Sequence, residues 1–212
     1  MKRRELMKGA VALGVASAVG TPAVWAQDAG AYRKARREVP RSTPGKIDVV
    51  EFFWYGCPHC YSFEPKVGAW AKALPSDVVF TKVPIAFQSQ RVNFEGHQKL
   101  YYTLEALGKL DTAHIKVFEA MHKDKKQLGN DAQIFDFAQS IGLNREQFAN
   151  AFKSFGVNAK CAQAKALFEA YGADGVPTLG IDGKFITSAS IAGSEENALR
   201  VASALIQRQR QA

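Results

Sequence analysis

Residues 47–55 read I-D-V-V-E-F-F-W-Y. Apolar β-branched and aromatic residues fall on both parities of this run, so there is no alternating wet face. A strand of that kind is covered on both sides and sits inside a sheet flanked by helices. The rest of the chain has to supply the covers. Pro58 to Leu74 turns helical, with Phe63, Val67, Trp70 and Leu74 on one face, and Pro65 inside it predicts a kink or break. Asp77 to Val83 reads as a second strand, closed by Pro84. From about Gln88 to Ala173 the periodicity is helical throughout, enough for some five helices. Asp111, Asp131 and Asn144 are candidate N-caps there, and Gly108, Gly142 and Gly172 candidate stops. Pro177 to Ile181 and Lys184 to Thr187 then read as strands around Asp182-Gly183, a tight hairpin turn. Ser194 to Gln207 is a closing helix, and no internal repeat is present. The expected class is α/β, a small mixed sheet covered by helices and interrupted by a helical block.

The chain begins M-K-R-R-E-L-M-K, followed by the 12 apolar or small residues G-A-V-A-L-G-V-A-S-A-V-G and then A-V-W-A. This is the pattern of a secretory signal over residues 1–26, cleaved after Ala26. The apolar stretch is short of the ~20 residues a bilayer span needs. R-R-E-L-M-K also resembles a twin-arginine signal, so two export routes stay open. No later run has spanning length, so a soluble mature protein is expected. Net charge is +8, of which Lys2, Arg3, Arg4 and Lys8 against Glu5 give +3, leaving +5 for the remainder. Tyr32 to Arg41 holds five basic residues and one acid. A solvated tail explains that run better than a nucleic-acid surface, so no nucleic-acid partner is expected. Residues 27–46, with Pro40, Pro44 and Gly45, read as an extended lead-in.

Three cysteines are present, Cys57, Cys60 and Cys161. Outside the cytoplasm cysteines usually pair. The stretch C-P-H-C has three readings. A zinc site needs four ligands, and no second ligand pair accompanies Cys57, Cys60 and His59. A purely structural disulfide would close too small a loop to constrain the unfolded chain much. A redox-active dithiol fits best, placed between a buried strand and a helix start. Pro58 suits the first helical position, having no amide hydrogen to lose. Cys57 is then the cap, its sulfur facing unpaired amides and the positive end of the helix dipole. His59 adds a donor or a charge. All three favour thiolate, so the Cys57 pKa should be lowered and the oxidised pair should accept electrons readily. Cys60, one turn in, should be more buried and act as the resolving thiol.

Glu51 shares a strand face with Val49, Phe53 and Tyr55. An unpaired polar group there costs roughly 2–7 kcal/mol, which should raise its pKa. Such an acid could exchange the proton of Cys60 through a water. A partly exposed or ion-paired glutamate is the other reading. Cys161 repeats with Val157, Ala164, Phe168 and Tyr171 on one helical face, which makes it a small buried residue or, alternatively, a dimer-forming or regulatory thiol.

E-F-F-W-Y-G-C-P-H-C-Y-S-F-E-P, followed after the helical block by G-V-P-T-L and G-K-F, resembles the DsbA family of bacterial periplasmic thiol:disulfide interchange proteins, from about Asp48 to Ile206. The resemblance implies a thioredoxin fold interrupted by an inserted all-helical domain. The two thioredoxin parts would be 47–87 and 174–212, and the insertion 88–173. It implies that Cys57 is the exposed nucleophile and Cys60 its partner. It places Val176-Pro177 in a cis-proline loop against the disulfide, with the Val176 backbone free to pair with an extended substrate. Glu51 matches the family's buried acid. A strongly oxidising dithiol oxidase is implied, with no cofactor, donating its disulfide to unfolded or folding secreted proteins that carry free thiols. Trp54, Tyr55, Pro58 and Val176 would hold such chains loosely. Re-oxidation by a DsbB-type quinone-linked membrane protein, a periplasmic location and a monomeric state are also expected. Rival readings are a reductase or isomerase, a peptide-binding chaperone and a metal-binding module. Isomerases of that compartment usually carry a dimerisation domain, and none is expected ahead of Ile47. Cys161 departs from the family pattern, whose best-known members have only the active pair.

Overall fold

The computed structural model describes residues 30–211, so the leader expected at residues 1–26 lies outside the described residues. The doubly covered strand is β2, Ile47–Phe53, buried at every position but Asp48. Around it the sheet runs β1-β5-β4-β2-β3, with β1 at Arg33–Lys34, β3 at Val78–Pro84, β4 at Thr178–Ile181 and β5 at Phe185–Thr187. β2 pairs parallel with β3 and antiparallel with β4. Helix α1 spans Pro58–Lys72 and the closing helix α8 spans Glu195–Arg210. These two cover one face, where Ile47 and Val49 pack with Phe63 and Val67 of α1 and with Val201 and Leu205 of α8.

Between β3 and β4 lie five helices: α2 Phe94–Ala106, α3 Leu110–His122, α4 Asp131–Ser140, α5 Arg145–Phe152 and α6 Phe155–Tyr171. The opposite face of β2 points to them. Phe52 meets Phe168 and Tyr171 of α6 edge-on, at 5.3 and 5.4 Å. Phe53, near the strand end, packs on Tyr101 and Phe118 at 5.3 and 5.9 Å. The chain therefore leaves one edge of β2, builds the helical body, and returns to its other edge. This is the α/β order expected from the sequence.

Local departures have local causes. α1 runs unbroken through Pro65. The proline removes one helical hydrogen bond, but burial of Phe63 and Val67 on the sheet keeps the axis together. Asn144 caps α5 as expected, whereas Asn130 caps α4 in place of Asp131, and Lys109 holds the cap position of α3 without a side-chain hydrogen bond. Asp131 and Asp111 sit instead in the first turns, where an acid still suits the helix dipole. A short α7, Ala189–Ala192 capped by Ser188, carries too little pattern to be read from sequence.

The lead-in is extended, but it is more than a solvated tail. Arg33 and Lys34 form the edge strand β1 against Ile186 and Phe185. Arg41 makes a two-pronged contact with Asp182, at 2.6 and 2.9 Å, and Asp182 is only 2% exposed. Arg33 pairs with Asp174 at 3.1 Å. Val39 N donates to Gly183 O at 3.0 Å, so the lead-in lies directly on the hairpin. Asp182 and Gly183 both have positive φ, at 51° and 67°, and Lys184 N donates to Ile181 O at 3.0 Å, which closes the tight turn. Among the described residues no helix is long and apolar enough to cross a membrane.

A Cβ on Gly183 would lie 1.9 Å from Val39 O, whereas one on Gly142, φ +91°, would meet nothing within 4 Å. Gly142→Ala should carry only the left-handed penalty of about 1–2 kcal/mol. Gly183→Ala should add an overpacking cost of about 1–3 kcal/mol. Urea unfolding of the two variants checks the difference, and equal losses would mean that the lead-in does not hold the turn.

Candidate active site

The end of β2 delivers the chain straight into α1. Cys57 is the N-cap, with extended backbone at φ −82° and ψ 118°, and Pro58 follows at the first helical position. Trp54 O accepts from Cys57 N at 3.0 Å, tightening the turn. Gly56 is required there, because a Cβ would come within 2.3 Å of the Trp54 ring. Trp54 is fixed in turn by its Nε1 donating to His97 Nδ1 at 3.0 Å and by Phe94 at 4.4 Å.

Cys57 Sγ accepts from Cys60 N at 3.4 Å and lies 3.6 Å from Val176 O. The Val176–Pro177 bond is cis. The loop reaches the sulfur from 119 residues away in the chain. Cys57 is 7% exposed and Cys60 is 0% exposed. The expectation of an exposed Cys57 is therefore corrected: the sulfur is buried, with Val176 O packed against it. Pro58 and His59 are exposed at the rim.

Both thiols are in the reduced form. The Cys57 thiol is lowered to about 6, chiefly by the hydrogen bond from the Cys60 thiol, then by the Cys60 and His59 amides and least by the His59 charge, all working against burial. Burial pushes Cys60 far up, and its partner's charge pushes the same way. The pair thus holds one proton at neutral pH, and that proton sits on Cys60.

Beneath the pair, Glu51 is fully buried at the centre of β2. Burial raises its pKa, and Lys82 opposes the rise. Glu51 Oε2 accepts from Lys82 Nζ, and Oε1 has no hydrogen-bond partner. The two readings of Glu51 left open by the sequence are both partly met, since the acid is desolvated and ion-paired at once. Lys82 Nζ also donates to Glu64 Oε2 at 2.8 Å. Burial alone would raise Glu64, but His114 and Lys82 overcome it and hold the carboxyl at about 2.

Lys82, Glu64 and His114 were not singled out from the sequence. The one signal for Lys82 is register: the parallel pairing of β2 and β3 sets Glu51 directly beside Lys82. Cys161 lies apart from this cluster, half-buried on α6, and burial pushes its thiol up to about 11. Among the described residues, no three His, Cys, Asp or Glu side chains are grouped to hold a metal ion.

Residues 48–198 match the DSBA-like thioredoxin domain family. The chain is 40% identical over 215 residues to a thiol:disulfide interchange protein DsbA of Azotobacter vinelandii, covering 99% of each chain. It is 42% identical over 198 residues to its counterpart in Bordetella pertussis, covering 93% of this chain and 92% of that one. Its structure resembles the crystal structure of Pseudomonas aeruginosa DsbA with a TM-score of 0.81 and 39% identity, over 86% of this chain and 94% of that one.

The pH behaviour of the pair follows from its two pKa directions. A thiol lowered on folding contributes stability above its unfolded value of about 8.5, and loses that contribution as pH falls through its folded value. The reduced form should accordingly weaken as pH falls from about 8.5 to below about 6. Reduction consumes one proton above about pH 6 and two below it. The reduction potential should therefore fall by about 30 mV per pH unit above that point and about 60 mV below it. Potentials measured in glutathione buffers check the break, and a uniform slope of about 60 mV from pH 5 to 8 would rule out an activated Cys57.

Proposed function

The chain belongs to the DSBA-like thioredoxin family and is a thiol:disulfide oxidoreductase, and we propose that Cys57 is its nucleophilic sulfur and Cys60 its resolving thiol. The observation that carries this assignment is Cys57 Sγ at the N-cap of α1, 3.4 Å from Cys60 N. In the oxidised protein a substrate thiolate attacks the Cys57 sulfur. The Cys57–Cys60 bond breaks, a mixed disulfide forms at Cys57, and Cys60 leaves and takes up a proton. A second substrate thiolate attacks the substrate sulfur of that mixed disulfide. Cys57 leaves as a thiolate, two electrons have passed to the protein, and the substrate holds a disulfide. The lowered pKa of Cys57 makes it the better leaving group and drives the transfer toward the substrate. Both exchanged bonds are between sulfurs supplied by the two partners, so the electrons balance without a cofactor.

His59 tunes Cys57 from the rim, chiefly through its backbone amide. Pro58 starts the helix without a wasted amide, and Val176 offers its backbone to an extended substrate beside Pro177. Glu51 exchanges the proton of Cys60. The substrates are folding exported proteins with free thiols, met in the periplasm, and a DsbB-type quinone-linked membrane oxidase restores the disulfide. In this reading residues 47–87 and 174–212 form the thioredoxin part and residues 88–173 the helical insertion.

Cys57→Ser is expected to abolish oxidation of a reduced two-cysteine peptide. Cys60→Ser, incubated with a peptide disulfide, is expected to accumulate a peptide adduct that mass mapping places on Cys57. An adduct on Cys161, or full activity in the Cys57 variant, would overturn the assignment.

A further inference from the structure

Cys60 and Glu51 are each 0% exposed, so a proton that leaves Cys60 has no direct path to water. The atoms around Glu51 show where such a path surfaces. Among the described residues two buried side-chain polar atoms lack a hydrogen-bond partner, Glu51 Oε1 and His114 Nε2. Both belong to one cluster. Lys82 Nζ bridges Glu51 and Glu64, and Glu64 Oε2 lies 3.4 Å from His114 Nε2. Glu64, Lys82, Tyr101 and His114 line a groove of about 1350 Å³ between α1, β3 and α3. Glu51 stands behind that wall.

We infer that His114 is the relay by which the proton of Cys60 passes from the Glu51–Lys82–Glu64 cluster to water in this groove. The inference rests on the reading of Cys60 as the resolving thiol.

The ring is held for such a task. The Tyr55 hydroxyl meets His114 Nδ1 at 2.8 Å. Phe53, Tyr101 and Phe118 pack edge-on against the imidazole at 5.4, 5.7 and 5.3 Å. The relay works from the tautomer whose Nδ1–H is donated to the Tyr55 oxygen. Nε2 is then an open acceptor facing Glu64, and protonation there gives an imidazolium paired with that carboxylate. The polar and charged groups around His114 are Tyr55 and, behind Lys82, Glu51 from β2 and its end, Glu64 from α1, Lys82 from β3 and Tyr101 from α2. Glu105 and Asp111 stand further along the groove.

The step balances without electron transfer in the relay. As the Cys60 sulfur attacks the mixed disulfide at Cys57, its S–H bond breaks and the proton goes to Glu51. Lys82 takes a proton from Glu51 as it gives one to Glu64. His114 Nε2 takes that proton and releases it to groove water. The two-electron exchange stays on sulfur.

The test separates the two half-steps. Reduced protein is mixed with oxidised glutathione, quenched at intervals, and the glutathione adduct on Cys57 is followed by mass spectrometry. In His114→Leu, adduct formation should be unchanged, and adduct loss by Cys60 attack should slow by roughly 100-fold, the low end for a positioned acid–base group. Imidazole buffer, small enough to enter the groove, should restore the rate in proportion to its concentration. Tyr55→Phe, which removes only the hydroxyl, should slow the same half-step and serves if His114→Leu does not fold. An unchanged second half-step, or a slowed one that imidazole leaves unmoved, would overturn the relay. A wild-type protein that forms no adduct on Cys57 at all would instead overturn the thiol-exchange reading, and the relay with it.

Discussion

The contact between Cys57 Sγ and the amide of Cys60, at 3.4 Å, sets the terms for the rest of the molecule. It needs a helix that begins on the residue after Cys57, and a short helix is marginal in water without tertiary packing. α1 gets that packing from the centre of the sheet through Phe63 and Val67. β2 in turn is so apolar that it has to be covered on both faces, which calls for α8 on one side and α6 on the other. A polarised sulfur at one point thus depends on a fold closed around one strand. Burial of Cys57 works against its ionisation, and the hydrogen bonds to it win.

Glu51 shows a second contest between the same forces. A carboxylate with no exposure is strongly disfavoured in its charged form, and pairing with Lys82 offsets only part of that. Removing one member of such a buried pair usually costs more than the pair contributes, because the survivor is left uncompensated. The site accepts this expense beneath the two cysteines, where a proton has to be exchanged. It does not accept it on the lower part of the strand, where Ile47, Val49 and Val50 are all apolar.

The elements with strong local signals were legible in the sequence. β2, the five helices and the Asp182-Gly183 turn all follow from period and turn chemistry, and Cys57 as a helix cap follows from C-P-H-C next to that strand. Elements settled by distant packing were not. The break at Pro65 is overridden by burial, and the basic lead-in is tied to the hairpin through Arg41 and Asp182, 141 residues apart. Lys82 and Glu64 are ordinary charged residues in one dimension. Only strand register and the placing of α1 bring them to Glu51. His114 needed the position of α3 across the strand end. Cys161 has the right helical spacing for burial, and it packs partly buried against the core, short of full enclosure.

The loop that packs against Cys57 comes 119 residues after it. During synthesis from the amino end, β2 and α1 therefore emerge long before Val176, β4 and the closing helix. Until those arrive, one edge of β2 is unpaired and the sulfur lacks that contact. The sheet is completed only after nearly the whole polypeptide is available, a contact of high sequence separation that slows folding.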